Sequence, residues 1–112
     1  MNHRTDILDL RTALDVLRQT PGQLVETDVE VNPKAELAGV YRYVGAGGTV
    51  MRPTKVDGPA MVFHNVKGHP DTSVAIGVLA SRQRVANLFG VKKEELGHLL
   101  CECAKNPIQP IV

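Results

Sequence analysis

At 112 residues the chain has the length of a single domain, large enough for one hydrophobic core without stapling disulfides. Hydrophobic residues make up 43% and charged residues 22%, as in an ordinary globular protein, and no apolar run reaches the ~20 residues that a membrane helix needs. The 13 basic and 12 acidic residues are interspersed and leave a net charge of +1, which argues against binding to nucleic acid.

The first half of the chain predicts a helix, a strand and a second helix. It starts with a polar segment instead of the apolar stretch of a secretory signal, so we expect a cytoplasmic protein with reduced thiols. Leucines at helical spacing predict a helix over 9–20 capped by Asp9, and alternating valines and acidic residues predict an edge or one-side-exposed strand over 25–31. Asn32 and Pro33 indicate the start of a helix that the glycines of 45–48 end. Its buried stripe is expected at Leu37, Val40, Tyr41 and Val44.

The second half predicts two buried strands and two helices. The apolar runs 60–63 and 74–79 are typical of strands covered on both faces. Ser81 is expected to cap a helix that Gly90 ends. The inner faces of this helix and of the final one are expected at Val85, Leu88 and Phe89 and at Leu96, Leu99, Leu100 and Cys103. Together these elements predict a single α/β (α+β) domain, a small mixed sheet of about three strands with helices packed against it.

A glycine-rich loop after the second helix is the most suggestive local feature. Loop amides and two cations could hold a phosphate or carboxylate, and the candidates for such an anion site are Gly47, Gly48, Thr49, Arg52 and Lys55. The Gly-Lys-Ser/Thr ending of a nucleotide-binding loop is missing, and the glycines follow a helix rather than lead into one. A purely structural helix stop is the alternative, and we favour it.

The histidines and cysteines give weaker signals. His64 and His69 flank a turn without a third ligand, so we expect one histidine on a polar face and one exposed in the turn. His98, Cys101 and Cys103 are residue types that bind zinc, but helical residues two apart point about 200° away from each other. We therefore expect one cysteine to pack and the other to lie near the surface.

Neither the serines nor the carboxylates form a recognisable active site. Ser73 and Ser81 lack the Gly-x-Ser-x-Gly elbow of a hydrolase. No pair across a cleft is evident among Asp28, Glu30, Glu94, Glu95 and Glu102. We therefore assign no catalytic, cofactor-binding or metal-binding residue within this chain.

Several phrases, in order along the chain, resemble the amino-terminal region of UbiD-family decarboxylases. They are DLRTAL (9–14), PGQLVETD (21–28), AELAGVYR (35–42), GAGGTV (45–50), RPT (52–54) and FHNVKG (63–68). The resemblance extends from Leu8 to Val112 and is closest to the branch acting on hydroxylated benzoates such as protocatechuate, gallate or 4-hydroxybenzoate.

The resemblance implies a reversible, non-oxidative decarboxylation that uses prenylated flavin mononucleotide with a divalent metal. Family members are several times longer, and their cofactor, metal and acid/base residues lie in a central barrel-like domain that this sequence does not contain. Residues 1–112 would then be the amino-terminal α/β domain, inactive alone, partnered by the rest of its polypeptide in a homo-oligomer. The apolar tail with Ile108, Ile111 and Val112 likewise leads us to expect a longer natural chain. The alternative is a stand-alone module that binds a small anion or another protein.

Overall fold

A computed structural model describes residues 3–47 and 57–112. The elements, in chain order, are α1 (Leu10–Arg18), β1 (Leu24–Thr27), α2 (Glu36–Ala46), β2 (Ala60–Phe63), β3 (Val74–Ile76), α3 (Arg82–Phe89) and α4 (Leu96–Lys105). A short 3-10 turn, Lys93–Glu95, leads into α4. This order confirms the predicted fold class. Among the described residues, no helix combines the length and the apolar character needed to cross a membrane.

The sheet has three strands, with β2 in the centre. Strand β1 runs parallel to β2, with Leu24 opposite Ala60, and β3 runs antiparallel to it, with Val74 opposite Phe63. All four residues of β2 are buried, as the continuous apolar run predicted. Strand β1 lies at an edge of the sheet, which confirms the prediction from its mixed polar and apolar pattern.

Helices cover both faces of the sheet. Successive side chains of β2 point to opposite faces, so Val62 packs with Leu14 and Leu17 of α1, and Leu88 of α3 packs against the same cluster. On the other face, a second cluster joins Leu37 of α2 to residues of β2 and of two loops. Its buried members are Val31, Leu37, Met61, Phe63 and Val66. The domain is therefore a three-layer stack with α1 and α3 on one side and α2 on the other.

The helix ends follow local chemistry. The Asp9 carboxylate accepts a hydrogen bond from the backbone N–H of Thr12 at 2.8 Å, which caps α1. The Ser81 hydroxyl accepts one from the backbone N–H of Arg84 at 3.3 Å, which caps α3. Gly47 and Gly90 take left-handed conformations, with φ of 96° and 73°, where α2 and α3 end. These four predicted ends are confirmed.

The segment between β1 and α2 differs from prediction. Strand β1 ends at Thr27, and Val29, expected on its covered face, is 75% exposed. Helix α2 begins at Glu36 rather than at Pro33. The Asn32 side-chain oxygen accepts a hydrogen bond from the Lys34 backbone N–H, and the Asn32 backbone N–H donates to the Glu36 carboxylate, both at 2.9 Å. These hydrogen bonds stabilise a turn that begins at Asn32, so the helix starts after the turn.

The predicted inner faces of three helices are only partly covered. In α2, Leu37 is buried, whereas Val40 is 37% exposed. In α3 the buried residues are Arg84 and Ala86, and the expected stripe of Val85, Leu88 and Phe89 is half-buried. In α4 only Leu99 is buried. Helical periodicity locates an apolar stripe correctly but does not say how much of it this chain covers.

Candidate functional site

A cluster of polar side chains lies at one end of the sheet, on the face that α1 covers. It consists of Arg18, Glu26, His64 and Ser73, and we call it the Glu26 cluster. Arg18 lies in the last turn of α1 and Glu26 lies in β1. His64 follows β2 directly, and Ser73 precedes β3. The parallel β1–β2 pairing and the antiparallel β2–β3 pairing bring these positions to the same end of the sheet.

The Glu26 cluster is a continuous hydrogen-bonded chain. Arg18 donates from Nε to Glu26 Oε2 and from Nη2 to Glu26 Oε1, both at 2.9 Å, and from Nη1 to Asp15 at 2.6 Å. His64 Nε2 lies 3.0 Å from Glu26 Oε1, and His64 Nδ1 lies 2.9 Å from the Ser73 hydroxyl. The cluster therefore ties α1 to β1 and to the chain on both sides of the β2–β3 connection.

Charge pairing sets the ionisation of Glu26. The hydrogen bonds from the Arg18 guanidinium, followed by that from His64, lower the pKa of Glu26 from 4.5 to about 2, against the opposing effect of its burial. The same contact with Glu26 raises the pKa of Arg18 further above its ordinary value. A bidentate Arg–carboxylate pair is the strongest geometry available to two such groups.

The order serine, histidine, carboxylate is shared with serine hydrolases, but the surroundings differ. Both Glu26 oxygens are held by Arg18, and Ser73 is exposed in the loop immediately before β3 rather than on a strained strand-to-helix elbow. We interpret the Glu26 cluster as a structural connection. None of its contacts was predicted from the sequence, which placed Glu26 on the exposed face of a strand and His64 on a polar face, and which gave Ser73 only as a serine without the elbow of a hydrolase.

Replacing Glu26 by glutamine is expected to lower the free energy of unfolding by about 1 kcal/mol at pH 7, a value kept small because the side chain is 31% exposed. The folded-state pKa is depressed, so the stabilisation is present above the unfolded pKa near 4.5 and is lost as pH falls towards 2. Urea unfolding of both proteins at several pH values measures this. Glu30→Gln, an exposed neighbour, serves as the control, and a difference that persists at pH 2 contradicts the assignment.

Arg84 forms a second polar centre, inside the domain. It is 1% exposed and sits in α3. Its guanidinium donates to the backbone carbonyls of Gly58, Gly77 and Val78 at 2.7 to 3.1 Å and to the side chain of Gln23 at 3.2 Å. Burial lowers the pKa of Arg84, and the nearby Tyr41 and Asp57 act in the opposite direction. Arg84 thus connects α3 to the chain entering β1 and β2 and leaving β3.

An open groove of about 550 Å³ lies beside Ser73, between α1 and β3. Its apolar lining residues are Leu10, Leu14, Val62 and Ala75. Its charged lining residues are Asp9, Arg11 and Asp71. Two carboxylates and one guanidinium leave the groove without excess positive charge, so it does not favour an anionic ligand such as an aromatic acid.

The predicted anion site falls mostly outside the described residues. Gly48, Thr49, Arg52 and Lys55 belong to the segment 48–56, so anion binding there stays a prediction. Gly47 is described, and it forms the left-handed end of α2. On either side of this segment, the backbones of Gly45 and Gly58 are in contact, because an added Cβ on Gly58 would overlap the Gly45 carbonyl group.

The remaining predicted candidates do not converge. Phe63 and His64 lie on opposite faces of the sheet, and His69 is exposed in its turn, as expected. Cys101 and Cys103 are both exposed, so the expectation that one packs was wrong. Within 3–47 and 57–112, no group of three or more His, Cys, Asp or Glu side chains could hold a metal ion. These residues do not supply the ligand set of a divalent metal, and we derive no catalytic step from them.

Comparison with protein families gives one match that covers most of the chain. The family described as the 3-octaprenyl-4-hydroxybenzoate carboxy-lyase N-terminal domain matches residues 16–104. A gallate decarboxylase of Lactiplantibacillus plantarum is 56% identical over 102 residues, which are 91% of this chain and 21% of that protein. An uncharacterized protein of Chlamydia trachomatis is 30% identical over 101 residues, 90% of this chain and 16% of that protein.

Comparison with solved structures also finds decarboxylases that this chain matches over part of their length. Crystal structures of apo 3,4-dihydroxybenzoic acid decarboxylases from Klebsiella pneumoniae and Enterobacter cloacae each align with a TM-score of 0.84 and 50% sequence identity. The alignments cover 93% and 94% of this chain and 21% of each solved chain. The chain thus spans about a fifth of the length of these relatives.

Proposed function

Because this chain belongs to the family of UbiD amino-terminal domains, we propose that it is the amino-terminal domain of a decarboxylase acting on hydroxybenzoate-type aromatic acids. The observation that carries the proposal is the 56% identity to a gallate decarboxylase. Gallate and 3,4-dihydroxybenzoate are both hydroxylated benzoates, and the relatives named for them each match more than nine-tenths of this chain.

The domain itself is proposed to fold and support the enzyme rather than to react. Its two described polar centres, Arg84 and the Glu26 cluster, are occupied by internal hydrogen bonds between secondary-structure elements. By family resemblance, prenylated flavin mononucleotide and a divalent metal would be held by the rest of the polypeptide. The same resemblance supports a homo-oligomeric enzyme, and the unpaired, exposed thiols fit a reducing cytoplasm.

A chimera tests this function. The matching amino-terminal fifth of the Lactiplantibacillus plantarum gallate decarboxylase is replaced by this chain, and carbon dioxide release from gallate is measured. We expect kcat/KM within about tenfold of the parent enzyme, a difference of about 1.4 kcal/mol in transition-state stabilisation. The parent enzyme without its amino-terminal domain is the control and should lose activity. A soluble, cooperatively folded chimera that does not decarboxylate gallate would contradict the proposal.

A further inference from the structure

One face of α4 carries apolar side chains that the described chain covers only in part. Leu96, Leu99, Leu100 and Cys103 recur at helical spacing, and we call them the α4 stripe. Leu99 is 4% exposed, but Leu100 is 50% exposed and Cys103 is also exposed. Helix α4 is amphipathic, because the polar residues His98 and Lys105 lie on the side opposite the stripe.

The α4 stripe continues into the residues that follow the helix. Ile108 is 94% exposed and, with Leu99 and Cys103, lines an open groove of about 380 Å³. The other residues that line this groove are polar: His3, Glu102 and Asn106. Single exposed apolar residues such as Val29 are common on protein surfaces, whereas an apolar helical stripe beside a groove whose surface is mainly apolar marks an interface. The stripe itself contains no charged side chain, so its complement is an apolar surface rather than a charged one.

We propose that the α4 stripe and Ile108 form the surface on which the remainder of the decarboxylase polypeptide packs. This inference rests on the proposed function. The occupant follows from the comparisons: relatives at 50% and 56% identity carry the matching region as 21% of a longer chain, so each has a large further body joined to it. A covalent link holds that body at a high effective concentration beside the α4 stripe. A second copy of this chain has no such link.

Two cysteines in the same helix provide the test and its control. Cys103 belongs to the α4 stripe, whereas Cys101, two residues earlier, points about 200° away from Cys103 around an ideal helix. Both thiols are exposed in this chain. Labelling by iodoacetamide is followed by mass spectrometry of the tryptic peptide 94–105, with fragmentation to separate the two cysteines. In the chimera, relative to the chain alone, we expect Cys103 to label at least about tenfold more slowly and Cys101 to change less than about twofold.

A pair of substitutions separates docking from general burial. Leu100→Glu in the chimera places a charge in the proposed contact and should speed Cys103 labelling at least about fivefold. Val29→Glu, the same change at an exposed valine after β1, should leave Cys103 labelling within about twofold. Equal effects of the two substitutions would overturn the assignment of this surface.

The remaining outcomes distinguish this inference from the proposed function. An active chimera in which Cys103 labels as fast as in the chain alone overturns the docking surface and leaves the decarboxylase assignment intact. An inactive but folded chimera counts against the proposed function. Protection of Cys103 in the chain alone that grows with protein concentration shows that a second copy covers the stripe, and overturns the assigned occupant.

Discussion

Replacing Arg84 by methionine is expected to lower the free energy of unfolding by about 3–5 kcal/mol. Methionine fills much of the same apolar volume but donates no hydrogen bond. The carbonyls of Gly58, Gly77 and Val78 would lose their guanidinium donors, and the buried Gln23 side chain would lose its partner. Each unsatisfied buried acceptor costs about 1–3 kcal/mol, and partial relaxation keeps the total below the sum.

Arg82 provides the matched control. It lies in the same helix but is exposed, so Arg82→Met should change stability by less than about 0.5 kcal/mol. Chemical denaturation followed by circular dichroism measures both variants. A domain of this size is stable by about 5–15 kcal/mol, so Arg84→Met should shift the midpoint strongly or prevent folding. Similar midpoints for the two variants would show that the buried guanidinium network is not a major source of stability.

Replacing Gly58 by alanine is expected to cost about 3 kcal/mol of stability. The added Cβ would overlap the carbonyl oxygen of Gly45 and lie 3.1 Å from its Cα. A Cβ on Gly45 would overlap the Tyr41 ring and would lie 2.9 Å from the Pro59 carbonyl oxygen. Both sides of the contact between Gly58 and Gly45 are backbone, so no side-chain rotation relieves it. The last turn of α2 and the approach to β2 would have to move apart.

Gly39 gives the opposite expectation within α2. Nothing lies within 4 Å of a Cβ added there, so Gly39→Ala should raise stability by up to about 1 kcal/mol through helix propensity and a less flexible unfolded chain. Thermal unfolding of the two alanine variants measures the contrast. If Gly58→Ala melts at the same temperature as Gly39→Ala, the close backbone approach does not constrain the fold.

Features that depend on neighbouring residues were predictable from the sequence. Asp9 and Ser81 cap helices because their short side chains reach the amides of the next turn. Gly47 and Gly90 end helices because glycine tolerates positive φ. The buried strand β2 was evident as a continuous apolar run. The segment after β1 was less predictable, because the hydrogen bonds of Asn32 stabilise a turn where a helix start was expected.

The polar centres could not be predicted, because they depend on strand pairing and distant backbone groups. Glu26 and His64 are separated by 38 positions and meet only once β1 pairs with β2. Arginine is rarely buried, and Arg84 is buried only because carbonyls far along the chain converge on it. The α4 stripe was predicted as apolar, but the exposure of Leu100 and Cys103 was not, because it depends on which other elements of the fold reach α4.

One arm of the chimera experiment tests most directly the claim that the reacting centre lies outside this domain. The isolated chain is incubated with prenylated flavin mononucleotide and MnCl2, passed through a desalting column, and assayed for carbon dioxide release from gallate and 3,4-dihydroxybenzoate. We predict no retained flavin absorbance and no release above the rate without protein, whereas the chimera retains flavin and is active. Flavin that stays bound to the isolated chain and decarboxylates either acid would contradict the claim.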